Sequence, residues 1–279
     1  MAPQKAIIIS ISGCSSSGKT TLAGLLRDIF PNTFILHEDD FYRAESELPT
    51  KSGLLDWDCP EALDLPELER ALLHIRSTGT FPDFIDSKED LNSVGPLPST
   101  ITPSLLSQIK SSLPFTSPQE QQQEEEQPGK TIPICILDGF LLYTRSHPAF
   151  ASILRLIDVK LFLLADRATA VARRQNRDGY VTLEGFWTDP PGYVEKIVWP
   201  NYVEHHKWLF EGEDVEAGKL DEKVCAREGI SFPPLDSSAA DTSGEGMQRQ
   251  KDFGKVLEWA VGEVLKGLEA KRGESVGGN

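Results

Sequence analysis

The sequence predicts an α/β fold: a parallel five-stranded sheet in a three-layer sandwich, with helices on both faces and a helical lid. Three observations carry this. Short apolar runs alternate with amphipathic helical stretches, the order that feeds strands into a parallel sheet. The first run is followed at once by a glycine-rich turn and a helix. Acidic residues stand directly after the second and third runs, where open parallel sheets bind their ligands.

The first element is the β-branched run Ala6 to Ser12, suited to a strand buried on both faces. Lys19 to Phe30 follows as a helix, with Leu22, Leu25, Leu26 and Ile29 at helical spacing. Thr33 to Leu36 reads as a second short strand, ending at His37-Glu38-Asp39-Asp40-Phe41-Tyr42. A helix is predicted from about Asp64, because Asp64 and Glu67 have capping-box spacing and Leu65, Leu68, Leu72 and Ile75 share a face. Residues 92–130 are rich in Pro, Ser, Gln and Glu, and are expected to form a disordered insertion that buries too little apolar surface to offset its ordering entropy.

Strands are predicted again at Ile132–Leu137, ending at Asp138-Gly139, and at Val159–Leu164. Asp166 reads as the N-cap of a helix through Arg177, and residues 166–192 as a lid whose Gly179–Gly192 part is a Gly/Pro/aromatic loop. Val194–Phe210 is predicted helical, bent or begun afresh at Pro200. Residues 211–250 are expected to be a flexible acidic insertion with at most one short strand near Ile230, and Phe253–Leu268 closes the chain as an amphipathic helix. The 279 residues then form a single domain, 1–279.

Composition narrows the function. A formal net charge of −15 argues against a nucleic-acid surface. No run approaches the ~20 apolar residues of a membrane span. The first strand begins within a few residues of Met1, so no signal peptide is expected. Cys14, Cys59, Cys135 and Cys225 are scattered and form no C-x-x-C pair, so neither a zinc site nor a disulfide framework is expected. The cytoplasm is the expected compartment, with the nucleus left open. The oligomeric state is also left open, a monomer being compatible with the sequence.

The chemistry begins at residues 13–20, which fit G-x-x-x-x-G-K-T, a loop whose backbone N–H groups cradle nucleotide phosphates. Gly13, Ser15, Ser16, Ser17, Gly18, Lys19, Thr20 and Thr21 are assigned to the nucleotide. Lys19 would reach its β and γ phosphates, and Thr20 would ligate Mg²⁺. Asp39 is the candidate that accepts the proton of an acceptor hydroxyl or orients it; the alternative is a helix cap or loop carboxylate. Asp138 is the second candidate metal ligand, or else part of an ordinary Asp-Gly strand-end turn. Arg173 and Arg177 share one helical face and can close over phosphates, while Arg174 lies about 100° around; a solvated basic helix end is the alternative. His205-His206 lacks partner ligands and is expected at the surface. Cys14 is open to oxidants if the helix N-terminus lowers its pKa.

Five blocks then resemble the nicotinamide riboside kinases, within the uridine-kinase-like group of P-loop kinases. They are Ile9 to Gly13 with Gly18 to Ala23; Asp39-Asp40-Phe41-Tyr42; Trp57-Asp58 with Glu61-Ala62-Leu63; Asp138 to Tyr143; and Pro190-Pro191-Gly192-Tyr193 with Val198 to Tyr202. The resemblance implies phosphorylation of the 5′-hydroxyl of nicotinamide riboside, and of nicotinic acid riboside, by ATP or GTP with Mg²⁺, for NAD synthesis. It implies that Asp39 activates the acceptor and Asp58 holds the ribose hydroxyls. It implies that Trp57 stacks on the pyridine ring beside Phe41 and Tyr42, and that Arg173 and Arg177 are lid arginines. Trp57 stands where tyrosine is familiar, and Asp138 where glutamate is. A uridine/cytidine kinase, or another small-metabolite kinase on the same scaffold, is the alternative. A non-catalytic nucleotide-binding regulator fits less well, because Asp39, Asp58 and Asp138 are all retained.

Overall fold

The computed structural model describes residues 4–87, 97–114, 132–145, 147–176, 179–182, 185–234 and 252–276. Its centre is the expected parallel sheet. The strands are β1 (Ile7–Gly13), β2 (Thr33–His37), β5 (Ile134–Asp138), β6 (Val159–Leu163) and β9 (Ile230–Ser231), in the order β2-β5-β1-β6-β9. Two small antiparallel pairs, β3 (Thr50–Lys51) with β4 (Leu54–Leu55) and β7 (Tyr180–Thr182) with β8 (Gly185–Trp187), lie outside it.

Alternation along β1 divides the core. Ile7, Ile9 and Ile11 pack under α1 (Lys19–Ile29), α3 (Pro103–Ser112) and α8 (Phe253–Val276). Ala6 and Ile8 face the other layer, with α2 (Leu65–Thr78), α4 (Ala149–Leu156) and α6 (Trp199–His206). Fully burying one such Ile or Leu is worth about 1.5–3 kcal/mol, so these two apolar layers hold the strand ends in place. A third, smaller cluster of Leu48, Trp57, Cys59, Ala62, Tyr193, Val194, Ile197 and Val198 supports the rim beyond β2.

The helix signals act as read. Asp64 caps α2 by accepting from Glu67 N at 3.0 Å, and Asp166 caps α5 (Arg167–Gln175) by accepting from Thr169 N at 2.7 Å. The helix before Phe210 does restart at Pro200: a π-helical turn Val194–Val198 precedes α6, because proline offers no N–H to continue the ladder.

Four expectations are corrected. Within 92–130, Thr102 caps α3, and Ile101, Ile109 and Leu113 are buried against α1 and α8; residues 92–96 and 115–130 lie outside the described residues. Within 211–250, Asp221 caps α7 (Glu222–Glu228), which leads into β9, and residues 235–250 lie outside the described residues. The Gly179–Gly192 loop contains the β7–β8 hairpin, whose β-branched and aromatic residues pair Tyr180 with Trp187 and Val181 with Phe186. His205 and His206 are buried, because α6 turns them inward onto Thr144, Tyr202 and Phe162. No helix among the described residues is long and apolar enough to cross a membrane.

Candidate active site

Register brings the site together. Ile11, Asp138 and His37 are aligned across β1, β5 and β2, so the loops that follow these strands open at one edge. The loop after β1 requires its glycines. Gly13 has φ +146°, and a Cβ there would lie 2.2 Å from Leu163 O, so β6 leaves room for backbone only. Gly18 precedes α1 with φ +102°, beneath the ring of Phe253. Between them Ser17 N donates to Cys14 O at 3.1 Å, which curls the backbone.

Side chains line this cradle. Lys19 is buried and donates from Nζ to Cys14 O at 3.0 Å, across the mouth of the loop. Thr20 is exposed and donates from Oγ1 to Asp138 Oδ2 at 2.6 Å. Ser15 accepts from Arg174, Ser16 offers its carbonyl to Arg173 Nη1 at 3.2 Å, and Thr21 is half-buried in the first turn of α1. Ser17 Oγ is buried with no partner among the described residues. Cys14 is also buried, and burial pushes its thiol up to about 12, so the lowered pKa on which its reactivity depended is not met.

The acids take different environments. Asp39 and Asp40 lie half-buried in the short turn that leaves β2. Asp138 is buried. Desolvation raises its pKa, but hydrogen bonds from His37 and Thr20 and the charge of Lys19 hold it below the usual carboxylate range. Glu38 is wholly buried and accepts from Phe140 N at 2.7 Å and Leu141 N at 3.0 Å, and burial pushes its carboxyl up to about 8. Asp58 is pushed up to about 6, by burial against the opposing pull of Arg174, with Asp189, Asp56 and Asp39 adding to the rise.

Trp57 sits at the centre of an aromatic wall. Tyr42 meets it edge-on at 5.2 Å, Trp187 of the hairpin lies at 5.5 Å, and Tyr193 hydrogen-bonds its backbone N–H at 3.1 Å. Phe41 is 2% exposed and belongs to the main core, which corrects its reading as a ligand contact.

The arginines are the main revision. Arg174, not Arg173, turns inward. Its side chain is 8% exposed and pairs with Asp189 through two bonds of 2.7 and 3.1 Å. Its Nη1 reaches Ser15 Oγ at 2.6 Å and lies 3.9 Å from Asp58 Oδ1. One guanidinium therefore joins the loop after β1, the Asp58 carboxylate and Asp189, which follows β8. Arg173 stays exposed, and Arg177 lies outside the described residues. Sequence reasoning also missed Asp189, Trp187, Tyr193, His37 and Glu38. Their nearness to Pro190-Pro191 or Asp39 was the only local signal, and it does not say which way a side chain points.

These residues fit a nucleotide with a divalent cation. Ser17 Oγ and Asp138 Oδ1 are buried without partners among the described residues, as groups awaiting phosphate oxygens and a hydrated cation are. Thr20 and Asp138 are oxygen donors, the type a hard cation selects, and they leave its other positions to phosphate and water.

No protein-family model matches the chain. It is 36% identical to nicotinamide riboside kinase of Schizosaccharomyces pombe, over 95% of this chain and 99% of that one. It is 32% identical to nicotinamide riboside kinase of Saccharomyces cerevisiae, over 95% and 98%. It is 28% identical to nicotinamide riboside kinase 1 of Homo sapiens, over 73% and 80%.

Proposed function

The chain belongs to the nicotinamide riboside kinase family, and on that premise we propose how its residues carry out the reaction. The enzyme is an ATP-dependent kinase that phosphorylates nicotinamide riboside for NAD biosynthesis. We extend its substrates to nicotinic acid riboside and take Mg²⁺ as its cation, with GTP as a second donor. The whole chain acts as one catalytic domain in the cytoplasm.

The backbone from Gly13 to Thr20 cradles the donor phosphates, and Lys19 moves from Cys14 O to their β and γ oxygens. Thr20 and Asp138 would hold the cation. When bound, it neutralises charge on the phosphates and aligns them. Asp39 orients the ribose 5′-hydroxyl and takes its proton as the new P–O bond forms and the bond to the bridging oxygen of ADP breaks. Asp58 accepts hydrogen bonds from the ribose hydroxyls. Trp57 offers an indole face to the cationic pyridinium ring, where stacking and cation–π attraction act together. Arg174 pins Asp58 and the lid to the phosphate loop. Arg173 and Arg177 screen the charge that moves between donor and acceptor.

The observation that best supports this reading is the Arg174 guanidinium, which connects Ser15 on the donor side with Asp58 on the acceptor side. The test is ADP release by the purified protein with ATP and Mg²⁺ and four acceptors: nicotinamide riboside, nicotinic acid riboside, uridine and cytidine. Turnover of the two pyridine ribosides alone supports it. Turnover of uridine or cytidine alone overturns the assignment of Trp57 and Asp58.

A further inference from the structure

We propose that His37 and Glu38 form a brace that positions Asp138 for the cation and ties it to Asp39. Both are positioning residues, and the inference rests on the reading of Asp138 as the metal acid.

His37 ends β2 directly beside Asp138, its register partner on β5. Its Nδ1 lies 3.4 Å from Asp138 Oδ2, the oxygen that also accepts from Thr20 Oγ1 at 2.6 Å. Two donors thus converge on Oδ2, while Oδ1 is buried with no partner among the described residues. A buried acceptor left so is destabilising. That arrangement persists because two donors fix the carboxylate plane and leave one oxygen for a cation or its water. Aspartate has one rotatable bond fewer than glutamate and a shorter reach, so the direction of Oδ1 matters more here.

Glu38 holds the backbone on the other side of the same residue. Its Oε2 accepts from Phe140 N and Leu141 N, so the turn after Asp138 is clasped on one carboxyl oxygen. The clasp is tight: a Cβ at Gly139 would lie 2.6 Å from Glu38 Oε2 and 2.7 Å from its Cβ. Residue 37 therefore grips the side chain of Asp138, and residue 38 grips the backbone of the turn that follows it. The next residue is Asp39, the acceptor acid. Metal acid and acceptor acid are thereby built into one unit across β2 and β5.

The test measures Mn²⁺ affinity of the protein·ADP complex by electron paramagnetic resonance, with nucleoside KM measured alongside. His37→Leu is expected to weaken Mn²⁺ about tenfold, the lower end of what loss of a ligand's supporting hydrogen bond costs, and to leave nucleoside KM unchanged. His37→Asn, whose amide N–H stands near the place of Nδ1, is expected to restore most of it, and His37→Gln is not. Glu38→Gln keeps the accepting oxygen and should match wild type, whereas Glu38→Leu should weaken Mn²⁺. Asp138→Asn separates the two readings. If it weakens Mn²⁺ while His37→Leu does not, the brace is wrong and the metal acid stands. If Asp138→Asn itself binds Mn²⁺ like wild type, both are wrong. If His37→Leu fails to fold by circular dichroism, the Asn and Gln variants decide: equal affinities overturn the brace.

Discussion

In its proposed role, Asp58 couples stability to substrate binding through one proton. Its carboxyl is 7% exposed and lies near Asp56, Asp189 and Asp39, with Arg174 3.9 Å away as the opposing charge. Burial dominates, and the pKa rises from 3.8 to about 6. At about 1.36 kcal/mol per pH unit, that difference is worth about 3 kcal/mol. The folded protein holds this proton more tightly than the unfolded chain. The contribution to stability is therefore fully present below pH 3.8 and is lost as pH rises through about 6. Asp58→Asn removes the titration and leaves every other group in place. Urea melts of both proteins from pH 4 to 8 should show wild type losing about 2.5 kcal/mol relative to Asp58→Asn, with the loss complete near pH 7. In the proposed role of Asp58 the same ionisation governs binding, because only the carboxylate can accept from both ribose hydroxyls. The nucleoside KM of wild type should rise as pH falls below about 6, roughly tenfold per unit, while that of Asp58→Asn stays flat and high. Two parallel stability curves, or a wild-type KM that ignores pH in this range, would refute the account of a buried, ionising ribose acid.

Three further outcomes are expected. Asp39→Asn should lower kcat by about 10²–10⁴-fold with ADP affinity unchanged by calorimetry, since it removes a proton acceptor and no phosphate contact; equal turnover would take Asp39 out of the mechanism. Arg174→Ala should cost about 3–5 kcal/mol in urea melts, because it strands Asp58 and Asp189, and should raise nucleoside KM. Arg174→Lys should recover little of either, as an ammonium cannot reproduce the two-bond pairing with Asp189. Trp57→Ala should raise KM for nicotinamide riboside by about tenfold or more while Trp57→Phe keeps most of the affinity, in steady-state assays at fixed ATP.

What the sequence determined by itself was the part written in local periodicity and spacing. The apolar run before Gly13, the glycine pattern through Lys19-Thr20, and the acids after β2 and β5 named the fold class, the phosphate loop and the candidates Asp39 and Asp138, whereas Asp58 entered only through the family resemblance. Each depends on a backbone rule that acts over a few residues: strand pleat, φ freedom of glycine, helix capping. Composition was a poorer guide. The Ser- and Gln-rich stretch around α3 and the acidic stretch around α7 both contain helices, because Ile101, Ile109, Leu113 and Cys225 find apolar partners far away in the chain. Side-chain direction was decided only by the tertiary structure. Arg173 and Arg174 are neighbours on one helix, and nothing local says which turns inward; the packing of α5 against the rim cluster and the arrival of Asp189 settle it. His205 and His206 go inside for the same reason, since α6 lays that face on Phe162. The brace on Asp138 depends on β2 pairing with β5, two strands about a hundred residues apart, and only the register of that pairing sets His37 beside the acid it holds.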